Sequence, residues 1–272
     1  MKTRIKFWCM LVALVASASF AVSCNRQQKA NQNELKKLVE KENSSCPIQH
    51  PPFGTLNSVD YDQEKNEVSF NLSVNDAHMD FSFDNKEHEK LMKESFGLVF
   101  VSSDLKDFMK HVKKAEASVA VVMKSNVSGK RLTLSYSPKE VADIYSQALT
   151  DEQIKRKTLE INVKMAQSLL PMDTGEGTFM KSIYLDGDVL VYSSVVQEND
   201  EMAVPRAKKR QDFLDEFKME LGHDLYHDAE TRFMIRSLRE LGYGVKYVFV
   251  GALSKDSVEF AFTPEELNAL YR

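Results

Sequence analysis

Two histidines, His223 and His227, lie four positions apart in an acidic stretch of the chain. On a helix, residues at i and i+4 share one face, so both imidazoles could bind one zinc ion. A zincin-type protease has a glutamate directly after its first histidine, whereas Asp224 stands here. The preceding Gly222 is typical of a helix end. The pair therefore predicts surface histidines or, as the alternative, two ligands of a metal-dependent enzyme.

Other residues with catalytic or binding potential show no informative spacing. The glycine-containing run 173–178 lacks the lysine of a phosphate loop and predicts a turn. A basic cluster at 206–210 begins an amphipathic stretch, which predicts a solvated helix face or contact with an acidic partner or anionic headgroups. We therefore expect no cofactor and, more readily than an enzyme, a non-enzymatic protein. The remaining histidines carry no signal: His50, His78, His88 and His111.

The amino terminus has the three parts of a secretory signal: a basic start, an apolar run at 7–22 and small residues before Cys24. The run is shorter than the roughly 20 residues of a membrane-spanning helix. The sequence Ala21-Val22-Ser23-Cys24 resembles the lipobox of bacterial lipoproteins. That resemblance implies removal of residues 1–23 and attachment of diacylglycerol, with a further acyl chain such as palmitate, at Cys24. Together these chains would hold the protein stably on a membrane.

The residues after Cys24 bear on its destination. Asn25 stands where an aspartate would resemble an inner-membrane retention signal, and no acidic cluster resembling a surface-export tag follows. We therefore expect an envelope protein on the outer membrane, facing the periplasm. Residues 24–33 are polar and without apolar periodicity, which predicts a flexible tether.

Charge and cysteine content narrow the choice of partners. Loss of residues 1–23, which carry three basic and no acidic residues, changes the formal net charge from -4 to -7. No basic nucleic-acid surface is indicated. Cys46 would be the one thiol left in the mature chain, so no intramolecular disulfide is expected. We expect a small buried hydrophobe there; a reactive thiol or an intermolecular partner is the alternative.

An internal duplication organises the rest of the chain, with a first repeat at 34–149 and a second at 150–272. The segment 135–141 matches 261–267 at an offset of 126 positions, and 47–58 matches 171–182 at an offset of 124. The second offset places Leu170 opposite Cys46. Ser137-Pro138 and Thr263-Pro264 match as an N-cap followed by a proline in the first helical turn.

Periodicity predicts the same elements in each repeat: helix, hairpin, helix, hairpin, helix. The first helix is expected at 34–41 in repeat one and to begin with the capping box Thr150 to Gln153 in repeat two. Asp186-Gly187 predicts a tight hairpin turn. The expected fold class is α+β, with two units that each carry a mainly antiparallel, four-stranded sheet and helices on one face.

These patterns favour a lipid-anchored envelope protein whose repeats bind another envelope protein or a ligand. A small-ligand carrier would require an apolar cavity. The metal-dependent enzyme using His223 and His227 is the alternative.

Overall fold

A computed structural model describes residues 26–50, 54–74, 83–175, 177–198, 204, 219 and 229–270. The chain divides into two compact units. The first unit comprises 1–77 and 99–148, and the second comprises 78–98 and 149–272.

Seven helices occur in the described ranges, and they are named in chain order. They are α1 (26–43), α2 (Lys86–Val101), α3 (Lys106–Lys114), α4 (Pro138–Tyr145), α5 (Asp151–Gln167), α6 (Ala229–Leu241) and α7 (Pro264–Leu270).

Each unit has its own five-stranded sheet, with the strands ordered as in the sequence. The strands of the first sheet are β1 (Ile48–His50), β2 (Gly54–Asp62), β3 (Glu67–Val74), β4 (Ser118–Ser125) and β5 (Arg131–Tyr136). Those of the second are β6 (Met172–Gly175), β7 (Thr178–Asp186), β8 (Val189–Val196), β9 (Gly244–Gly251) and β10 (Ser257–Phe262).

Neighbouring strands are antiparallel except for one pair in each sheet, β3 with β4 and β8 with β9. A parallel pair needs a long crossover, and in the first sheet α2 and α3 lie in the connection between β3 and β4. The expected class, α+β with mainly antiparallel sheets and packed helices, is confirmed.

The two units share irregular details as well as strand order. The β2–β3 register shifts between Leu56 and Ser58, and the β7–β8 register shifts between Met180 and Ser182, which are the positions 124 residues further on. A bulge is a specific local feature of a strand pair, so its recurrence at matching positions supports the duplication. Each unit also has a cis X-Pro bond, at Cys46-Pro47 and Leu170-Pro171.

Local sequence explains where several elements begin and end. The side chains of Ser137 and Thr150 accept hydrogen bonds from backbone N–H groups three residues on. In return, the side chains of Glu140 and Gln153 accept from the backbone N–H groups of Ser137 and Thr150. Gly187, with φ 59°, lies in the two-residue turn between β7 and β8. The predicted caps and the predicted Asp-Gly turn are confirmed.

Helices cover one face of each sheet. In the second unit Leu159 of α5, Leu238 of α6 and Leu267 of α7 are buried together with Leu190 and Val245 from the strands. Removal of such side chains from water is the main source of stability for each unit. In the first unit an aromatic cluster does the same: Phe70 lies 6.0 Å from Phe100 and 5.8 Å from Phe108, measured between ring centroids.

The structure corrects two details of the sequence-based picture. Residues 26–33, expected as a flexible tether, form the first turns of α1, which extends beyond the predicted 34–41. Each sheet has five strands rather than four, because the short β1 and β6 add an edge. Residues 86–98 of α2, which belong to the first repeat in the sequence, group with the second compact unit.

Candidate functional site

The principal site residues predicted from sequence lie outside the described residues. This holds for Cys24 and for both His223 and His227, and also for the basic cluster at 206–210. Among the residues that the structure describes, no group of three or more histidine, cysteine, aspartate or glutamate side chains could hold a metal ion. Lipidation of Cys24 and metal binding by the histidine pair remain predictions.

Cys46 follows α1 and is half-buried rather than fully buried as expected. Its Sγ lies 3.9 Å from the carbonyl oxygen of Glu42, a long contact at the end of the helix. The thiol thus lies against a helix end, unlike a core hydrophobe.

His88 gave no signal in the sequence, yet it is almost fully buried in the second unit, at 1% exposure. Its Nε2 lies 2.6 Å from Oγ of Ser168, the C-cap residue of α5. The Ser168 hydroxyl lies 2.5 Å from the Met165 carbonyl oxygen, to which it donates. Its oxygen is therefore placed to accept from the imidazole N–H, and this hydroxyl is not activated as a nucleophile.

The N-terminal half of α1 is bound to the C-terminal end of α3. The Asn31 side-chain amide donates to the Lys114 carbonyl oxygen at 2.9 Å, and Gln28 donates to Glu116 at 3.3 Å. Further along both helices, His111 Nε2 lies 3.2 Å from a Glu34 carboxylate oxygen. The two helices therefore run in opposite directions, with the start of α1 beside the end of α3. We call this region of the first unit the anchor end.

The turn between β2 and β3 lies at the same end. The Asn66 side-chain amide donates to the carbonyl oxygens of Ala115 and Glu116, at 3.0 and 2.9 Å. Within the turn, Lys65 lies 3.1 Å from Asp62. A hydrogen bond from the Lys65 backbone N–H, together with the Lys65 ammonium, lowers the pKa of Asp62. The anchor end thus combines helix ends and a turn, with charges of both signs.

The sheet faces opposite the helices differ between the units. In the first unit this face is polar: the Ser58 hydroxyl donates to Asp60 at 2.7 Å, and the Asn71 amide donates to the same carboxylate at 2.8 Å. In the second unit Tyr184 takes the position of Asp60, 124 residues on, and is 43% exposed. The phenol therefore offers this face an apolar ring and a hydroxyl.

On that face Tyr184 is paired across the strands with the buried Val191, and Ser193 and Lys246 are the next residues beyond that pair. Val195, Val248 and Val250 are half-buried further along the same face, where the first unit has Ser73, Val122 and Lys124. Lys246, which is paired with Val191 across β8 and β9, forms an ion pair with Glu259 at 2.6 Å. This face thus presents an exposed phenol, half-buried valines and an ion pair, and such a mixture of apolar and polar groups also occurs in protein-binding surfaces.

The turn after the fourth strand of each sheet shows a second divergence. In the second unit the Glu198 carboxylate accepts from the backbone N–H groups of Leu253 and Ser254, at 2.9 and 2.7 Å. Hydrogen bonds from the Ser254 backbone N–H, and then from its hydroxyl, lower the pKa of Glu198. This carboxylate holds a turn and has no reacting group beside it among these contacts.

Comparison with known proteins adds little to this geometry. No protein-family model matches the chain, and no curated protein matches it. Among solved structures, the chain is similar to a crystal structure from Pseudomonas aeruginosa of a protein proposed to be secreted. That similarity has 15% sequence identity and a TM-score of 0.32, and it covers 44% of this chain and 99% of the other. These values support no conclusion about fold or function.

Within the described ranges, no helix combines the length and the apolar character that crossing a membrane requires.

Proposed function

We propose that this chain is a bacterial lipoprotein anchored through Cys24, and that its duplicated body is a non-enzymatic module that binds another envelope protein. The anchor is supported by the signal-like sequence ending at Ala21-Val22-Ser23-Cys24. The expected location is the outer membrane, with the body in the periplasm.

The observation that carries the binding role is the difference between the two sheet faces. Duplicated units begin with the same surface, and here one face carries a hydrogen-bonded polar network while the other exposes Tyr184 and carries half-buried valines further along. Tyrosine is one of the residue types that contribute most to protein interfaces, and an exposed tyrosine on a sheet face is therefore a candidate centre of one. We assign partner binding to the second unit for this reason.

The anchor is tested by mass spectrometry and membrane fractionation of the full chain and of Cys24→Ala. The wild type should carry diacylglycerol and sediment with outer membranes, whereas the variant should be released from them. If Cys24→Ala stayed on membranes at the mass of the wild type, the lipoprotein assignment would be wrong.

The binding role is tested with a photo-crosslinking amino acid in living cells, placed at Tyr184 or at its counterpart Asp60. The crosslinking amino acid at position 184 should reproducibly capture one envelope protein, and the same amino acid at position 60 should not. Binding of that protein in purified form should be lost with Tyr184→Asp. Equal capture at both positions would refute a partner surface on the second unit.

The alternative, a metal-dependent enzyme using His223 and His227, has its own experiment. Zinc titration of the full chain and of His227→Ala would distinguish it from the binding module. Stoichiometric binding that the substitution abolishes would favour the enzyme, and its absence would remove that alternative.

A further inference from the structure

The point where α1 begins limits how far the folded body can lie from the lipid anchor. Helix α1 is formed from residue 26, so Asn25 alone separates it from Cys24 in the sequence. A chain advances at most about 3.6 Å per residue. If Cys24 carries the lipid, as in the proposed function on which this inference rests, the anchor is therefore within a few ångströms of the helix.

Helix α1 is part of the first unit, not a separate arm. Leu35 and Val39 are buried in that unit, with 0% and 3% exposure. The start of α1 is held to the end of α3 by the hydrogen bonds from Asn31 to Lys114 and from Gln28 to Glu116. These contacts fix the direction of α1 relative to the sheet. An anchor at its first turn consequently fixes which end of the unit is near the bilayer.

We propose that the anchor end of the first unit lies against the membrane surface, with Arg26, Lys29 and Lys114 among the phosphates of the lipid headgroups. All three side chains are exposed. Two come from the first turn of α1 and one from the end of α3, so the folded chain brings them together. Lysine and arginine place their cations at the headgroup level readily, because their long stems reach out from the body.

Two acidic residues of this end, Asp62 and Glu116, have partners within the unit. Asp62 pairs with Lys65 and also accepts from the backbone, while Glu116 accepts from Gln28. Glu64 lies in the same turn and adds one negative charge. The three basic groups named above thus lie together at one end of a mature chain whose formal net charge would be -7, with Glu64 and Glu67 nearby.

The opposite end of the same sheet offers an internal control. Strand β4 begins beside the anchor end, where the Ser118 N–H donates to the Asn66 carbonyl oxygen, and runs to Ser125. Its eight residues span about 25 Å at the rise of a β-strand. Val127 follows in the next turn and is 65% exposed. A probe at Val127 should therefore stay away from the headgroups while a probe at Lys114 touches them.

The experiment uses the full-length lipoprotein with Cys46→Ser, reconstituted in vesicles that contain anionic phospholipid and a headgroup-level quencher. A fluorophore is attached at Lys114→Cys or at Val127→Cys, and the chain without an added cysteine is the labelling control. Mass spectrometry first establishes the lipid on Cys24. The label at 114 should be quenched several-fold more than the label at 127.

Contact with phosphates is tested in the Lys114→Cys background. Lys29→Glu should reduce the quenching, whereas Lys36→Glu, an exposed lysine further along α1, should leave it nearly unchanged. If both substitutions had the same effect, the assigned phosphate contact would be refuted.

The outcomes separate this inference from the proposed function. Equal quenching at 114 and 127, or stronger quenching at 127, on a chain with lipidated Cys24 would overturn the orientation and leave the anchor intact. A chain without lipid on Cys24 would overturn both.

Discussion

The Ser125 hydroxyl and the Glu198 carboxylate perform the same structural task in the two units. Ser125 Oγ accepts from the backbone N–H groups of Val127 and Ser128, at 3.1 and 2.6 Å. Glu198 Oε2 accepts from those of Leu253 and Ser254, the residues 126 positions further on. The turn geometry is thus retained while a neutral acceptor in one unit is replaced by a charged one in the other.

This replacement predicts a pH response in one turn and not in its counterpart. The hydrogen bonds that lower the pKa of Glu198 favour its charged form. Their stabilisation is present above the ordinary glutamate value of 4.5 and is lost as the pH falls through the lowered pKa of the folded protein. In NMR titrations the amide signals of Leu253 and Ser254 should shift in that acidic range. Those of Val127 and Ser128 should not, and equal shifts in both turns would contradict this assignment.

A serine hydroxyl should also be able to replace the glutamate carboxylate as the acceptor in the turn of the second unit, if two positions are substituted together. A side chain at Gly251, the position that matches Ser125, would collide with the Glu198 carboxylate and with Ser254. Gly251→Ser should therefore lower the melting temperature, and Glu198→Ala should lower it by leaving two N–H groups without their acceptor. In the double variant the new hydroxyl can accept from the same N–H groups. The melting temperature of the double variant should therefore fall by less than the sum of the two decreases in the single variants. Additive losses would show that the two sites do not interact.

The general fold could be predicted from the sequence because its signals are local. Pro138 and Pro264 follow capping residues, and the Asp186-Gly187 turn joins two apolar runs. The edge strands β1 and β6 were missed since three or four residues show too little alternation to register as a strand. Residues 26–33 were misjudged because their polar composition resembles a linker. Arginine, glutamine, lysine and alanine are also good helix formers, and a distant partner, Lys114, holds this segment.

The candidate sites show the same contrast between local patterns, which can be predicted from sequence, and contacts between distant residues, which cannot. The lipobox could be proposed from the sequence because its residues are adjacent, and it stays a prediction since Cys24 lies outside the described residues. The contact of His88 with Ser168 joins positions 80 residues apart, and that of Glu198 with Ser254 joins positions 56 apart. Neither pair has a sequence signal, because nothing at one position restricts the other until the chain folds.

Core packing in the second unit predicts a large loss of stability for one leucine and almost none for another. Leu238 in α6 has 0% exposure, whereas Leu253 in the turn after β9 has 79%. Leu238→Ala removes buried methyl groups and leaves a cavity, which should lower the free energy of unfolding by about 2–5 kcal/mol. Leu253→Ala should change it by less than about 0.5 kcal/mol. Chemical denaturation of both variants measures the difference, and similar values would place Leu238 outside the core.

Ser168 and Ser146 form a matched pair for measuring what the buried histidine contributes. Each serine is a helix C-cap whose hydroxyl donates to the carbonyl oxygen three residues earlier, Ser168 to Met165 at 2.5 Å and Ser146 to Asp143 at 2.8 Å. Ser168 alone of the two also lies 2.6 Å from His88 Nε2. Replacement by alanine removes the same local hydrogen bond in both cases. Any larger decrease in the free energy of unfolding for Ser168→Ala than for Ser146→Ala therefore measures the contribution of the contact with His88.

Ser168→Ala should therefore lower the free energy of unfolding by about 1–3 kcal/mol, because a buried polar group loses a hydrogen-bonding partner. Ser146→Ala should cost less than about 0.5 kcal/mol, as expected for an exposed helix end. Introducing His88→Phe removes the imidazole from both backgrounds. The excess cost of Ser168→Ala should then disappear, since no ring nitrogen remains to be satisfied. An excess that persisted with phenylalanine at 88 would mean that Ser168 stabilises the unit through contacts other than His88.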